Sequence, residues 1–215
     1  MIKPRGRRIG LIRLSAIGDV CHAVATVQAL QRHAPEDDIT WIIGRTEAAL
    51  VSDLPGITFI VFDKKQGLTA FKNVINAITE PFDVLLHMQV SLRANILAAV
   101  VPAKAKLGFP KHLSKELHGM VVNRRVPMPE TPHVLEGFQH FAYALGVPTF
   151  APTWSIPISE ADQAWVRERL TAQKPYVVIA PSASNAERNW LVDRYAALAN
   201  HLQYRGYNVV LTASP

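Results

Sequence analysis

Apolar positions along the chain switch between two spacings. From Ile9 to Leu14 they run unbroken except for Arg13, as in a strand buried on both faces of a sheet. Past the turn Ser15-Ala16-Ile17-Gly18 the spacing becomes helical, with Val20, Ala23, Val24, Val27 and Leu30 recurring until Pro35 closes the helix. The alternation then repeats. Strands are predicted at 39–43, 58–62, 83–87 and 105–109, and helices at 46–52, 69–78, 92–100 and 133–145. Beyond a stretch marked by Pro148, Pro152 and Pro157 come a helix at 160–171, a strand at 176–180, a helix at 192–203 and a strand at 208–212.

Strands that alternate with helices through short turns predict an α/β protein built on parallel sheets, because parallel strands need a crossover and helices supply it. The pattern divides into an N-terminal domain over 1–150, a linker over 151–159 and the beginning of a second domain over 160–215. Two strands cannot cover both faces of their own sheet, so the second domain is expected to be incomplete and the sequence a fragment of a longer chain.

Composition narrows the class. Of 215 residues 49% are hydrophobic and 19% charged, which excludes a disordered or fibrous chain. A lone cysteine, Cys21, excludes a disulfide framework and fits a reducing compartment. No apolar run approaches the roughly 20 residues of a membrane span. The basic start (Lys3, Arg5, Arg7, Arg8) precedes an apolar stretch broken by Arg13 and ended by Asp19, so no secretory leader is expected and the protein reads as cytoplasmic. Lys and Arg outnumber Asp and Glu by 23 to 17, a net charge of +6 that favours polyanionic partners. Arginines do not alternate with aromatics in the manner of a base-stacking surface.

Ligands of open parallel sheets bind beyond the carboxyl ends of the strands. The first such turn, Ser15 to Asp19, lacks the dinucleotide fingerprint, because only Gly10 and Gly18 are near, and it is no phosphate-binding P-loop. Asp19 there reads either as the N-cap of a helix starting at Val20 or as a general base at a cleft mouth. The second turn, Ala180-Pro181-Ser182-Ala183-Ser184 with Arg188-Asn189-Trp190, offers hydroxyls and a guanidinium to a phosphate, or is an ordinary Ser-rich loop with a structural tryptophan.

These residues carry a resemblance. Arg13-Leu14-Ser15-Ala16-Ile17-Gly18-Asp19, a helix, and then Ile39-Thr40-Trp41-Ile42 resemble the opening of glycosyltransferase family 9, the ADP-heptose:lipopolysaccharide heptosyltransferases, with the heptosyltransferase I branch nearest. Phe82 to Gln89 with Leu92-Arg93, Lys106 to Phe109, Lys115-Glu116-Leu117, His133 to Glu136, and Pro181 to Ser184 with Arg188-Asn189-Trp190 follow in the family's order. The chain departs from the pattern at Ser182, where the family has glycine, and at Arg188, where it has lysine.

The resemblance implies a GT-B fold of two Rossmann-like domains, the first binding acceptor and the second nucleotide sugar. It implies inverting transfer of heptose from ADP-heptose to the Kdo region of a lipid A acceptor. Asp19 would be the base, and Ser182, Ser184 and Arg188 would bind the donor diphosphate. Lys64, Lys65, Arg93 and Lys115 would cradle the anionic acceptor. No metal or other cofactor is implied, and peripheral contact with the inner membrane is expected. Three other readings stay open: a nicotinamide-dependent Rossmann enzyme, disfavoured by the missing glycine fingerprint, a nucleic-acid-binding protein, and a truncated, non-catalytic acceptor-binding module.

Overall fold

The computed structural model describes residues 6–131, 133–170, 174–181, 183 and 186–212. They fall into two units that meet in sequence at Pro157 and Ile158. The first opens with β1 (Arg8–Ile12), α1 (Ile17–His33), β2 (Asp38–Gly44), α2 (Arg45–Val51) and β3 (Ile57–Phe62). It continues through a short 3-10 turn at Lys64–Gln66, then α3 (Leu68–Ala77), β4 (Phe82–His87), α4 (Leu92–Val100) and β5 (Ala103–Gly108). A 3-10 turn at Lys111–Leu113, α5 (His118–Val121), β6 (Arg124–Arg125) and α6 (Val134–Tyr143) complete it.

The six strands are all parallel, in the order β3-β2-β1-β4-β5-β6. This doubly wound order reverses direction between β1 and β4. Period-two alternation divides β1 between two cores. Ile9 and Leu11 join Trp41, Ile43, the α1 residues Val20, Val24 and Val27, and Phe138 and Phe141 of α6. Ile12 joins Ile42, Leu85, Val74 of α3 and Leu97 of α4 on the opposite face. Trp41 is fully buried, and its indole N–H donates to the Arg13 carbonyl at 3.1 Å, so no polar atom is stranded by that burial.

The sequence placed strands and helices correctly to within two residues at most boundaries. It gave no elements between 110 and 132, where short pieces (α5, β6) lack the length for a periodic signal. The proline-marked stretch reads from the sequence as a linker over 151–159. As far as Pro157 it belongs to the first unit. Phe150 and Ile156 pack on the α1–α6 core, Gln28 exchanges two hydrogen bonds with the backbone of Ser155 (2.8 and 3.1 Å), and the Trp154 indole donates to the Cys21 carbonyl at 2.8 Å. Proline forbids a helix or an inner strand; it does not forbid an extended chain from packing.

The second unit comprises α7 (Glu160–Arg169), β7 (Tyr176–Ile179), α8 (Val192–Tyr204) and β8 (Asn208–Leu211), with β7 and β8 parallel. Ile179 alone is buried among its described residues.

Candidate active site

Where strand order reverses, the loops after β1 and β4 leave toward opposite faces and open a crevice at the carboxyl edge of the sheet. The ladder extends into both loops: Met88 N–H donates to Ile12 O (3.1 Å), Arg13 N–H to Ile42 O (3.3 Å) and Gly44 N–H to Leu14 O (3.0 Å). Gly44 is required there, since a Cβ would lie 2.3 Å from the Leu14 carbonyl oxygen, a backbone atom with nowhere to go. Gln89 ties the two loops together. Its carboxamide oxygen accepts from Leu14 N–H (2.6 Å) and Ser15 N–H (3.3 Å), and its amide donates to the Ser91 hydroxyl (3.2 Å), which in turn caps α4. The Ser15–Ala16 peptide bond is cis.

Asp19 is not an N-cap. α1 starts at Ile17, Ala16 occupies the cap position without a side-chain bond, and Asp19 sits inside the first helical turn. A carboxylate in that turn is favoured by the helix dipole. Its Oδ2 forms an ion pair with the Arg13 guanidinium, and among the described residues its other oxygen is unengaged. The Arg13 side chain is only 11% exposed against 33% for Asp19. Burying a guanidinium is costly unless it is compensated. Here the Met88 carbonyl accepts from Nη1 at 2.7 Å, Asp19 supplies the opposite charge, and the cation lies 5.3 Å from the centre of the Phe138 ring, while among the described residues Nε has no partner. Burial lowers the Arg13 pKa, and the Asp19 carboxylate opposes that shift.

This pair forms part of the wall of a cleft of about 600 Å³. Val90, Phe109, Leu113, Met128, Val134 and Phe138 supply apolar lining, with Gln89, Glu130 and His133 among the polar groups. The His133 imidazole caps α6 by accepting from Leu135 N–H, and the Glu136 carboxylate holds the Glu130 and Thr131 amides of the cleft rim. Gly18, beside Asp19, is exposed, and a Cβ built on it would meet nothing within 4 Å.

Lys64, Lys65 and Arg93 do not line that cleft. They line a second pocket of about 190 Å³ that shares Ser15 with it and adds Arg45, Glu47 and Asp63. Asp63 is engaged, accepting from Arg45 Nε at 3.0 Å and from the Lys65 N–H at 3.0 Å. Lys115 is exposed and lines neither pocket. In the second unit Arg188 is exposed, and Asn189 closes its loop by accepting from Ala183 N–H at 2.6 Å. Ser182 and Ser184 lie outside the described residues.

Beneath the crevice lies a histidine pair. His87, the last residue of β4, and His118 of α5 are fully buried with rings stacked 4.4 Å apart. Asn95 donates through its amide to the Glu116 carbonyl, so its oxygen accepts from His87 Nε2 (2.7 Å), whereas His118 Nε2 accepts from Phe109 N–H (3.1 Å). Burial lowers the two pKa values to about 3 and about 4. The rings are therefore neutral at pH 7, in opposite tautomers.

The sequence alone points to no role for Arg13, Gln89 or Arg45. Arg13 did leave a signal, as the one charge in an otherwise apolar strand run, which requires a buried counter-charge. Gln89 stands in the sequence only as the end of the Phe82 to Gln89 segment of the resemblance and Arg45 left no signal, since their partners are 74–75 and 18 residues away.

A doubly wound parallel sheet with a crevice at its strand-order reversal defines an open α/β fold of the ligand-binding class. The family model for glycosyltransferase family 9 (heptosyltransferase) matches residues 72–215, and the chain belongs to that family. The chain is 42% identical over 209 residues to the lipopolysaccharide core heptosyltransferase OpsX of Haemophilus influenzae, covering 95% of this chain and 59% of that protein. It is 24% identical to lipopolysaccharide heptosyltransferase 3 of Escherichia coli K12, covering 92% and 60%. Among solved structures, a glycosyl transferase family 9 protein from Veillonella parvula superposes with a TM-score of 0.82 at 22% identity, over 97% of this chain and 63% of that one. Escherichia coli heptosyltransferase WaaC with ADP-2-deoxy-2-fluoro heptose gives 0.73 at 18%, over 97% and 69%. These likenesses establish the GT-B architecture. The chain spans about three fifths of the length of the two sequence relatives.

Proposed function

We propose that the protein to which this chain belongs transfers heptose from ADP-heptose to the Kdo-bearing inner core of lipopolysaccharide by a single inverting displacement. The Arg13-anchored carboxylate of Asp19 at the strand-order reversal carries this reading. Asp19 takes the proton of the attacking acceptor hydroxyl through its unengaged oxygen. A carboxylate is a weak base, but a sugar hydroxyl becomes acidic only as its bond to the anomeric carbon forms, so proton transfer accompanies displacement. Arg13 fixes the carboxylate's direction, which spares the reorganisation a freely rotating acid would need. Arg188, with Ser182 and Ser184, binds the diphosphate as negative charge grows on the departing ADP. Lys64, Lys65 and Arg93 hold an anionic group of the acceptor on the far side of Ser15, and Lys115 contributes from outside that pocket. A cytoplasmic protein in peripheral contact with the inner membrane is the matching location; no helix among the described residues is long and apolar enough to cross a membrane.

The test is transfer by the full-length protein from ADP-heptose to a Kdo-lipid A acceptor, with the product's anomeric configuration read by NMR. Retention of configuration would overturn the mechanism, and absence of transfer the reaction. The 215-residue chain alone is expected to bind ADP only in the millimolar range, as a phosphate grip without base and ribose contacts would (~1 mM). Micromolar binding would show that the donor site is complete within these residues.

A further inference from the structure

The surplus of positive charge is not spread over the chain. Between positions 64 and 129 there are ten Lys or Arg and three Asp or Glu, a surplus of seven in a chain whose net charge is +6; the rest has 13 against 14. That segment holds α3, α4 and α5. Neither α3 nor α4 contains an acidic residue. Of the three acids, Glu80 pairs with Arg8, Asp83 pairs with Lys104, and Glu116 is bound to the Leu92 N–H.

The same helices expose apolar side chains where a surface helix ordinarily presents polar ones. On α4, Leu92, Ile96 and Val100 recur at four-residue intervals and are 55%, 44% and 43% exposed, a stripe about 12 Å long. The helix buries Ala94, Asn95, Leu97 and Ala98 on its other side, so apart from Arg93 its exposed side is apolar although only the opposite side meets the core. Glu116 bonds to the Leu92 N–H and to Asn95, which brings Leu117 (64% exposed) and the following Met120 (79%) beside α4. Arg93, Lys115 and, on α3, Lys72 are exposed on the same side of the sheet. An apolar stripe rimmed by cations and without free acids matches an anionic bilayer surface: side chains enter the acyl boundary while ammonium and guanidinium groups meet phosphates.

We infer that the α4–α5 face, Leu92, Ile96, Val100, Leu117 and Met120 with the neighbouring cations, docks the protein on an anionic lipid bilayer. The inference rests on the reading above that the acceptor is lipid-linked. α4 begins immediately after the loop carrying Gln89 and Ser91, so the docking stripe starts beside the crevice. A lipid-anchored sugar would then reach Asp19 without leaving the membrane.

The experiment uses the full-length protein, sedimented with vesicles of phosphatidylglycerol and phosphatidylethanolamine or of phosphatidylcholine alone. Binding should be at least about tenfold tighter to the anionic vesicles and should weaken on raising salt from about 0.1 to 1 M, which shortens the screening length from ~10 to ~3 Å. Ile96→Glu with Met120→Glu, and separately Lys72→Glu, should each weaken it by about tenfold or more, with unchanged thermal melts and unchanged transfer to a deacylated, water-soluble acceptor. Vesicle binding that ignores these substitutions, or its absence while soluble transfer proceeds, overturns the docking surface and leaves the proposed reaction standing. Loss of soluble transfer in wild type, with substitution-sensitive vesicle binding, removes the reaction and keeps the surface. A change of oligomeric state on Ile96→Glu/Met120→Glu would assign the face to a second copy instead. Protection of Met120 from oxidation in the lipid-free protein would assign it to the remainder of the chain.

Discussion

Arg13 and Asp19 are bound to each other across the turn between β1 and α1, the arginine buried beneath Phe138 and the aspartate at the cleft surface. The arginine is fixed from three sides, so the carboxylate inherits its direction from the core of the sheet. Asp19→Asn should retain the fold and lower transfer about 10²-fold or more. Asp19→Ala should lower transfer equally and also destabilise by about 1.5–3 kcal/mol, because it leaves the buried guanidinium without the acceptor that the asparagine amide oxygen would keep. Urea denaturation of both variants beside their turnover numbers checks this; an active Asp19→Asn enzyme would remove the base.

Gln89 makes a second claim on the same turn. Gln89→Ala strands the Leu14 and Ser15 amides in a part-buried loop and should cost about 1–3 kcal/mol. Turnover should fall while Gln89→Glu, which keeps both acceptor bonds, recovers most of it. Equal loss in both variants would mean that the amide N–H groups, rather than the oxygen, hold the site.

Two glycines beside the site should respond oppositely. Gly44→Ala drives a Cβ into the Leu14 carbonyl and should destabilise by about 1–3 kcal/mol. Gly18→Ala meets open space and should leave stability unchanged or raise it by up to about 1 kcal/mol from helix propensity. If substrate approaches the start of α1, Gly18→Ala nevertheless raises KM. An unchanged KM would place the substrate elsewhere.

The buried histidine pair makes stability depend on pH. Both folded pKa values lie below the ordinary 6.5, so between about 6.5 and about 4 the unfolded chain binds protons that the folded chain refuses. The stabilisation from neutral rings is complete above about 6.5 and falls as pH drops through that window, with a slope of at most about 2.7 kcal/mol per pH unit for two sites. His118→Gln can still accept from Phe109 N–H and should roughly halve the slope. Denaturant midpoints between pH 7 and pH 4 measure it; identical slopes in wild type and variant would show that other groups titrate.

The cations divide by pocket. Lys64→Ala, Lys65→Ala and Arg93→Ala should each raise the acceptor KM several-fold with little change in donor KM, because their pocket lies beside Ser15. Lys115→Ala should have a smaller effect on the acceptor, and Arg188→Ala should act on the donor. Steady-state kinetics with either substrate varied separates these classes.

The sequence by itself determined the order of strands and helices, the parallel sheet and the place of Asp19 after the first strand, because each follows from hydrophobic spacing over a few residues. It also carried the motifs of the family through to Trp190. Only the tertiary structure decided what Asp19 is bound to, why Gln89 matters, and that Lys64, Lys65 and Arg93 share a pocket while Lys115 does not. The α1 start at Ile17 was likewise settled by backbone geometry, since Asp and Ala on either side of that boundary give conflicting capping signals. Gln89 meets Leu14 and Ser15 across 74–75 residues, and Arg93 comes level with Lys64 because α3, β4 and the loop after it bring the chain back to the same edge. Local periodicity encodes which face of an element is buried; which side chains converge at the end of a sheet depends on strand order, and adjacent positions in that order are distant in the chain.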